Sequence, residues 1–162
     1  MPYALLALVL VILDQVVKYL VLTYIPLGGY VPFLPHIVCL TYVQNTGAAF
    51  SMFSQHTWIL ALISLIMSVV LAVALWKNFF THPLGKVTLA LLLDGAVGNL
   101  IDRTLRGFVV DMFQLLFMNF AVFNVADICV VVGGIAAAAY YLLLADKLEH
   151  KEAPHGTADA DR

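Results

Sequence analysis

The sequence predicts an all-α membrane protein with four transmembrane helices and a small outward-facing β-rich segment between the first and second. Three observations lead there. Apolar residues make up 63% of the 162 positions. Only 18 residues are charged, and eight of these fall within residues 146–162, which leaves ten for residues 1–145. Four stretches are long and apolar enough to cross a hydrocarbon core, which takes about 20 residues of helix. A soluble domain carries charge on about a quarter of its residues. Residues 1–145 are therefore read as one four-helix membrane domain.

Each span has its own justification. The first, residues 3–24, is interrupted only by Asp14 and Lys18. The second, 57–76, is uncharged and carries Trp58 and Trp76 near its ends, as interfacial belts favour. The third, 87–101, contains Asp94, Gly95, Gly98 and Asn99. The fourth starts near Phe123 and is uncharged over 128–145, with Gly133, Gly134 and an Ala run that permit close helix contact.

Basic residues outside the spans set the expected orientation. Residues 25–56 contain no Lys or Arg, whereas Lys77 and Lys86 flank the next loop and Lys147 and Lys151 follow the fourth span. Both termini and the short loop should face the cytoplasm, and the 25–56 and 103–118 connections should face outward. Arg103 and Arg106 run against this charge bias, so a specific task near the outer surface is expected of them. Segment 25–56 is rich in Pro, Gly and aromatic residues and has a β-branched run at 37–43, which suggests short strands. Residues 146–162 read as a frayed, disordered tail.

Several classes are excluded by the same count. A net charge of −2 without a basic cluster offers nothing to nucleic acid. Two cysteines, Cys39 and Cys129, make no disulfide framework and are read as packing residues. No basic residue precedes the first apolar run and no small-x-small site follows it, so no cleavable signal peptide is expected. No His lies inside a span, and neither a His-Glu-x-x-His zinc motif nor a serine–histidine arrangement is present, so neither metal nor cofactor is expected.

Charge inside a bilayer costs roughly 2.5–3.5 kcal/mol per residue at mid-span, and the predicted topology brings the costly groups to one depth. Asp14, Lys18, Asn99, Asp102, Arg103, Asp111, Asn124 and Asp127 all fall at or near the outer leaflet, as one polar site there requires. Asp14 and Lys18, four residues apart, share a helix face and neutralise each other as a structural pair. Asp102 and Arg103 read either as an interfacial cap and anchor or, for Arg103, as a fork holding a carboxylate or lipid phosphate. Asp111 and Asp127 have no basic residue within four positions. They are either a proton-sharing pair suited to acid–base hydrolysis or two independently solvated interfacial aspartates.

Five motifs in this order resemble the lipoprotein signal peptidase (signal peptidase II) family of bacterial membrane aspartyl proteases. They are Asp14-Gln-Val-Val-Lys18, Asn45-Thr-Gly-Ala-Ala-Phe-Ser51, Gly95-Ala-Val-Gly-Asn-Leu-Ile-Asp-Arg103, Val109-Val-Asp111 and Phe123-Asn-Val-Ala-Asp127. The resemblance implies that Asp111 and Asp127 are the catalytic dyad. It also implies that Asn45, Gly98, Asn99, Arg103 and Asn124 bind substrate or orient the aspartates, and that Asp14 and Lys18 are structural. The implied substrate is a diacylglyceryl-modified prolipoprotein, cut just before its lipidated lipobox Cys. Sensitivity to the cyclic peptide globomycin and residence in the bacterial cytoplasmic (inner) membrane follow from the same likeness; a monomer among membrane lipids is expected, although the sequence itself does not reveal the oligomeric state. Segment 25–56 would be the family's β-cradle and lid.

Two features depart from the family pattern. Asp94 stands where a small or apolar residue is usual, and the linker from Asp111 to Asp127 is short. A four-helix transporter using Asp14 and Lys18, and a non-catalytic scaffold, are the competing readings. The transporter fits poorly with polar residues at one depth, and the scaffold has no use for uncompensated Asp111 and Asp127.

Overall fold

The computed structural model describes residues 2–47 and 56–144. It contains four helices, α1 (Pro2–Tyr24), α2 (Thr57–Trp76), α3 (Pro83–Leu105) and α4 (Val125–Ala139). Three strands, β1 (Val31–Leu34), β2 (Val38–Asn45) and β3 (Val109–Leu115), form one antiparallel sheet in the order β1-β2-β3. A π-helical turn, Tyr140–Leu144, continues α4. The expected tail at 146–162 and positions 48–51 of the 45–51 motif lie outside the described residues.

All four helices are long and apolar enough to cross a membrane, the fourth counted as Val125–Leu143. Their outer faces are apolar and exposed, as in Leu5, Leu8 and Ile12 of α1 and Leu62, Ile66 and Val70 of α2. What they bury is mostly small or polar, with Val21, Leu71 and Leu89 among the few larger apolar side chains. The stripe α1 turns inward includes Asp14 and Lys18, and α3 buries Gly85, Thr88, Asp94, Gly95, Gly98, Asn99 and Asp102. In lipid, apolar side chains gain nothing by turning inward, so close backbone approach and polar contacts hold the helices together. The most polar span, α3, is accordingly the central one, packed against α4, α2 and α1.

α3 is longer than the apolar stretch predicts. Its N-terminus is fixed by His82, whose Nδ1 accepts the Leu84 N–H at 3.2 Å, with Pro83 in the first turn. The helix runs on through Asp102 and Arg103 because both find partners, Asp102 inside the bundle and Arg103 at the Gly47 carbonyl beyond β2, so charge marks no helix end there.

The sheet also departs from expectation, because its third strand comes from the connection between α3 and α4 rather than from 25–56. β2 pairs with β1 on one side and β3 on the other, with Val43 opposite Asp111 and Asn45 opposite Val109. β3 is buried over Val109–Met112, so its sequence reads as a plain apolar run without alternation. Val110 and Met112 pack with Tyr42 against Val21 and Ile25, seating the sheet on the end of α1. The chain then folds straight back: Met112 and Phe113 N–H donate to the Phe123 carbonyl at 3.0 and 2.8 Å, and Phe123 N–H donates to Phe113 O at 3.1 Å. That tight return is why a short linker suffices between Asp111 and Asp127.

Gly95 marks a close approach of α3 and α4. A Cβ there would collide with a Val130 methyl and stand 2.7 Å from the Ala126 carbonyl oxygen, whereas one at Gly134 would meet nothing within 4 Å. Gly95→Ala should therefore lower the thermal midpoint in detergent, with an overpacking cost of about 1–3 kcal/mol. Gly134→Ala should leave the midpoint unchanged or raise it. Equal effects of the two would contradict this packing.

Candidate active site

Asp111 and Asp127 meet at the end of the bundle that carries the sheet. Asp111 sits on β3, fully buried apart from 1% of its surface, and Asp127 in the first turn of α4. Asn124, the residue that caps α4, bridges them. Its Nδ2 donates to Asp111 Oδ1 at 2.7 Å, and its backbone N–H donates to Asp127 Oδ2 at 3.2 Å. The remaining oxygens are held from either side. Asn45, diagonal to Asp111 across the β2–β3 register, donates from Nδ2 to Asp111 Oδ2 at 2.9 Å. Asn99 donates from Nδ2 to Asp127 Oδ1 at 2.8 Å. Each of the four carboxylate oxygens thus receives an N–H.

The asparagines cannot turn their amides over, because each side-chain oxygen faces a group that can only donate. Asn45 Oδ1 accepts the Gly47 N–H at 2.9 Å, and Asn124 Oδ1 accepts the Asp127 N–H at 2.9 Å. Asn99 Oδ1 accepts the Lys18 ammonium at 3.0 Å and Asn124 Nδ2 at 3.2 Å. Neither a backbone N–H nor an ammonium has a lone pair to offer. The three amide NH2 groups are therefore directed to the aspartates by the surrounding structure.

Burial pushes the Asp111 carboxyl up to about 6. The negative charge of Asp127 adds to that rise, and the Asn45 and Asn124 donors and the Lys18 charge oppose it. A carboxyl so placed exchanges its proton near neutrality, as an acid–base catalyst must.

Both aspartates line a cleft of about 550 Å³, together with Asn45, Asn99 and Arg103. The rest of its wall is apolar, from Ala121, Val122 and Phe123 and from Ile128, Val130, Val131 and Val132 along α4. A smaller cleft of about 240 Å³ adjoins it at Asn45 and Asp111 and is lined by Val43, Gln44 and Asn119. Arg103 Nη2 donates to the Gly47 carbonyl at 3.2 Å, which ties the end of β2 to α3, and its guanidinium lies within electrostatic range of both aspartates. Among the described residues no three His, Cys, Asp or Glu side chains converge as a metal site would require.

The other polar residues form a layer behind the dyad. Asp14 and Lys18 are fully buried and paired at 2.9 Å, but Lys18 also binds Asp102 Oδ2 at 3.0 Å, so the expected pair is part of a larger set. Asp102 is no interfacial cap. It is completely buried, pairs with Arg106 as well, and accepts the Val110 N–H at 3.0 Å, which suspends β3 from α3 beside Asp111. The sequence signal was the spacing of Asn99, Asp102 and Arg106, three and seven residues apart on one helix face. Gly98 lies off the cleft, at the α1–α3 contact, where a Cβ would stand 2.7 Å from Asp14 Oδ2. Asp14 Oδ1 in turn accepts the Ala126 N–H at 3.0 Å, tying α1 to the start of α4. Cys39 and Cys129 are buried free thiols. Asp94 is buried beside the Cys129 thiol and receives no N–H or O–H donor among the described residues; nothing in the structure explains it.

Known proteins share this arrangement of helices, sheet and sequence. The family described as signal peptidase (SPase) II matches residues 6–143. The lipoprotein signal peptidase of Enterococcus faecalis is 43% identical over 155 residues, covering 96% of this chain and 95% of that protein. The lipoprotein signal peptidase of Streptococcus pneumoniae is 45% identical over 136 residues, covering 80% of this chain and 85% of that protein. A solved bacterial membrane enzyme superposes with a TM-score of 0.81 at 29% identity, covering 99% of this chain and 94% of its own. With the family matched across all four helices and the sheet, the chain belongs to the signal peptidase II family of membrane proteases.

Proposed function

We propose that this chain is an aspartic endopeptidase that removes the signal peptide from diacylglyceryl-modified prolipoproteins, cutting just before the lipidated Cys. The observation that carries the reading is the bridging of Asp111 and Asp127 by Asn124 in a cleft with an apolar wall. One ionised and one protonated carboxyl perform hydrolysis without further groups. Asp127 stands in the first turn of α4, where the helix dipole favours negative charge, and serves as the base that takes a proton from water. The water oxygen attacks the scissile carbonyl carbon, while Asp111, carrying the shared proton, hydrogen-bonds the carbonyl oxygen and gives that proton up. The resulting tetrahedral diol collapses as Asp127 passes its proton to the amide nitrogen and the C–N bond breaks. Asp111 recovers its proton from the departing diol. The proton belongs to the pair rather than to either residue alone.

The apolar wall along α4 suits the acyl chains, and the smaller cleft at Asn45 and Asp111 suits the peptide. The Lys distribution supports a bacterial cytoplasmic (inner) membrane location with both chain ends on the cytoplasmic side and the dyad near the outer leaflet. The enzyme acts as a monomer, needs no metal or cofactor, and is blocked by globomycin.

Purified enzyme in detergent should cleave a lipid-modified precursor, should leave the same precursor without lipid intact, and should be indifferent to chelator. Asp111→Asn and Asp127→Asn should each lower cleavage by at least about 100-fold with the fold retained. Wild-type turnover by either variant would overturn the dyad.

The raised Asp111 carboxyl also makes stability depend on pH. With its folded value above the unfolded one, Asp111 contributes stability that is complete below about pH 4 and is lost as pH rises through about 6. The midpoint of Asp111→Asn minus that of wild type should therefore increase between about pH 4.5 and 7. A difference that falls over this range would contradict the assignment.

A further inference from the structure

Lys18 is wholly buried and binds two carboxylates, yet its third hydrogen bond goes to a neutral amide, Asn99 Oδ1 at 3.0 Å. For charge neutrality alone that contact is unnecessary, since Asp14, Lys18, Asp102 and Arg106 already sum to zero. Its effect lies on the far side of the amide. An ammonium has three donors and no acceptor, so it draws Asn99 Oδ1 toward α1 and leaves Nδ2 pointing to Asp127 Oδ1 at 2.8 Å. The same ammonium places an uncompensated part of its field on both aspartates.

The geometry points to Lys18 as a positioning residue of the reaction: acting through Asn99, it fixes the donor that holds Asp127, and it sets its positive charge behind the dyad. This role is separate from holding α1 to α3, and it rests on the dyad reading above. The groups around the pair are defined. Asp127 is faced by Asn99 and Arg103 of α3, Lys18 of α1, Asp111 of β3 and Asn124 at the start of its own helix. Lys18 is faced by Asp14 of its own helix and by Asp102 and Asn99 of α3, with Arg106 behind Asp102 and Asp94 within electrostatic range. Lys18 does not line the cleft, so it touches no substrate.

A pH profile separates positioning from scaffolding. Lys18→Met alone would strand Asp14, whereas Asp102 keeps Arg106, so the variant is Lys18→Met with Asp14→Asn, compared with Asp14→Asn alone and with wild type. Cleavage of a lipid-modified precursor is measured from about pH 4.5 to 9, spanning both limbs of the profile. Taking the cation away should raise both limbs of kcat in the double variant by ~0.5–1 unit. It should also lower kcat about 10- to 100-fold, the rate equivalent of one hydrogen bond to a charged group, with KM unchanged. Removing only the anion that partly neutralises Lys18 should move the limbs the other way in Asp14→Asn. Limbs of the double variant that coincide with wild type, or that move together with those of Asp14→Asn, would overturn the inference. Should the double variant fail to fold, Lys18→Gln with Asp14→Asn takes its place, and limbs that coincide with wild type contradict the inference in the same way. Wild-type cleavage by Asp111→Asn would instead defeat the dyad reading itself, which keeps the two failures apart.

Discussion

The ammonium of Lys18 is the contact on which the rest of the structure depends. Moving an ion of that size out of water costs several kcal/mol, which only well-placed anions and hydrogen bonds offset. Asp14 and Asp102 supply the anions and Asn99 the remaining acceptor, so α1 and α3 are locked in one rotation and one depth. From that lock the other elements follow. Asp14 reaches the backbone of α4 at Ala126, and Asp102 reaches the backbone of β3 at Val110. The two segments that carry the aspartates are each hung from a carboxylate that Lys18 holds.

This arrangement links packing to chemistry. A lipid-facing bundle gains nothing by burying apolar surface, so its interior is free to hold polar groups, and once satisfied these specify one arrangement. Three asparagines translate that rigidity into the site. Each has its carbonyl oxygen committed to an obligate donor and its NH2 committed to an aspartate. The two carboxylates are thereby held in one orientation by the fold itself. Burial adds a carboxyl at Asp111 that exchanges its proton near neutrality.

The four membrane helices were legible in the sequence because apolar content and absence of charge are local properties. The Trp58 and Trp76 belts bounded the second span at the residues where α2 begins and ends. β3 was not legible, because a strand buried on both faces shows no alternation and its pairing with β2 links residues some 70 positions apart. The polar residues were identifiable as a group by their cost, but their partners were not. Helical spacing pairs Lys18 with Asp14, but nothing local distinguishes an Asp102 at a span boundary from one buried on the face it shares with Asn99 and Arg106. Asn124 carried a local signal, an Asn three residues before an Asp at a helix start, which reads as an N-cap. That this cap also bridges to Asp111 depends on the fold-back of Phe123 onto Phe113, a tertiary feature.

The central claim is that Asp111 and Asp127 act as one unit sharing one proton. A double-mutant cycle on cleavage of a lipid-modified precursor tests it most directly, using Asp111→Asn, Asp127→Asn and the two combined. Residues that act as a unit are strongly non-additive, so the combined variant should retain the same residual rate as either single one. Losses that multiply would show two carboxylates working independently and would contradict the account.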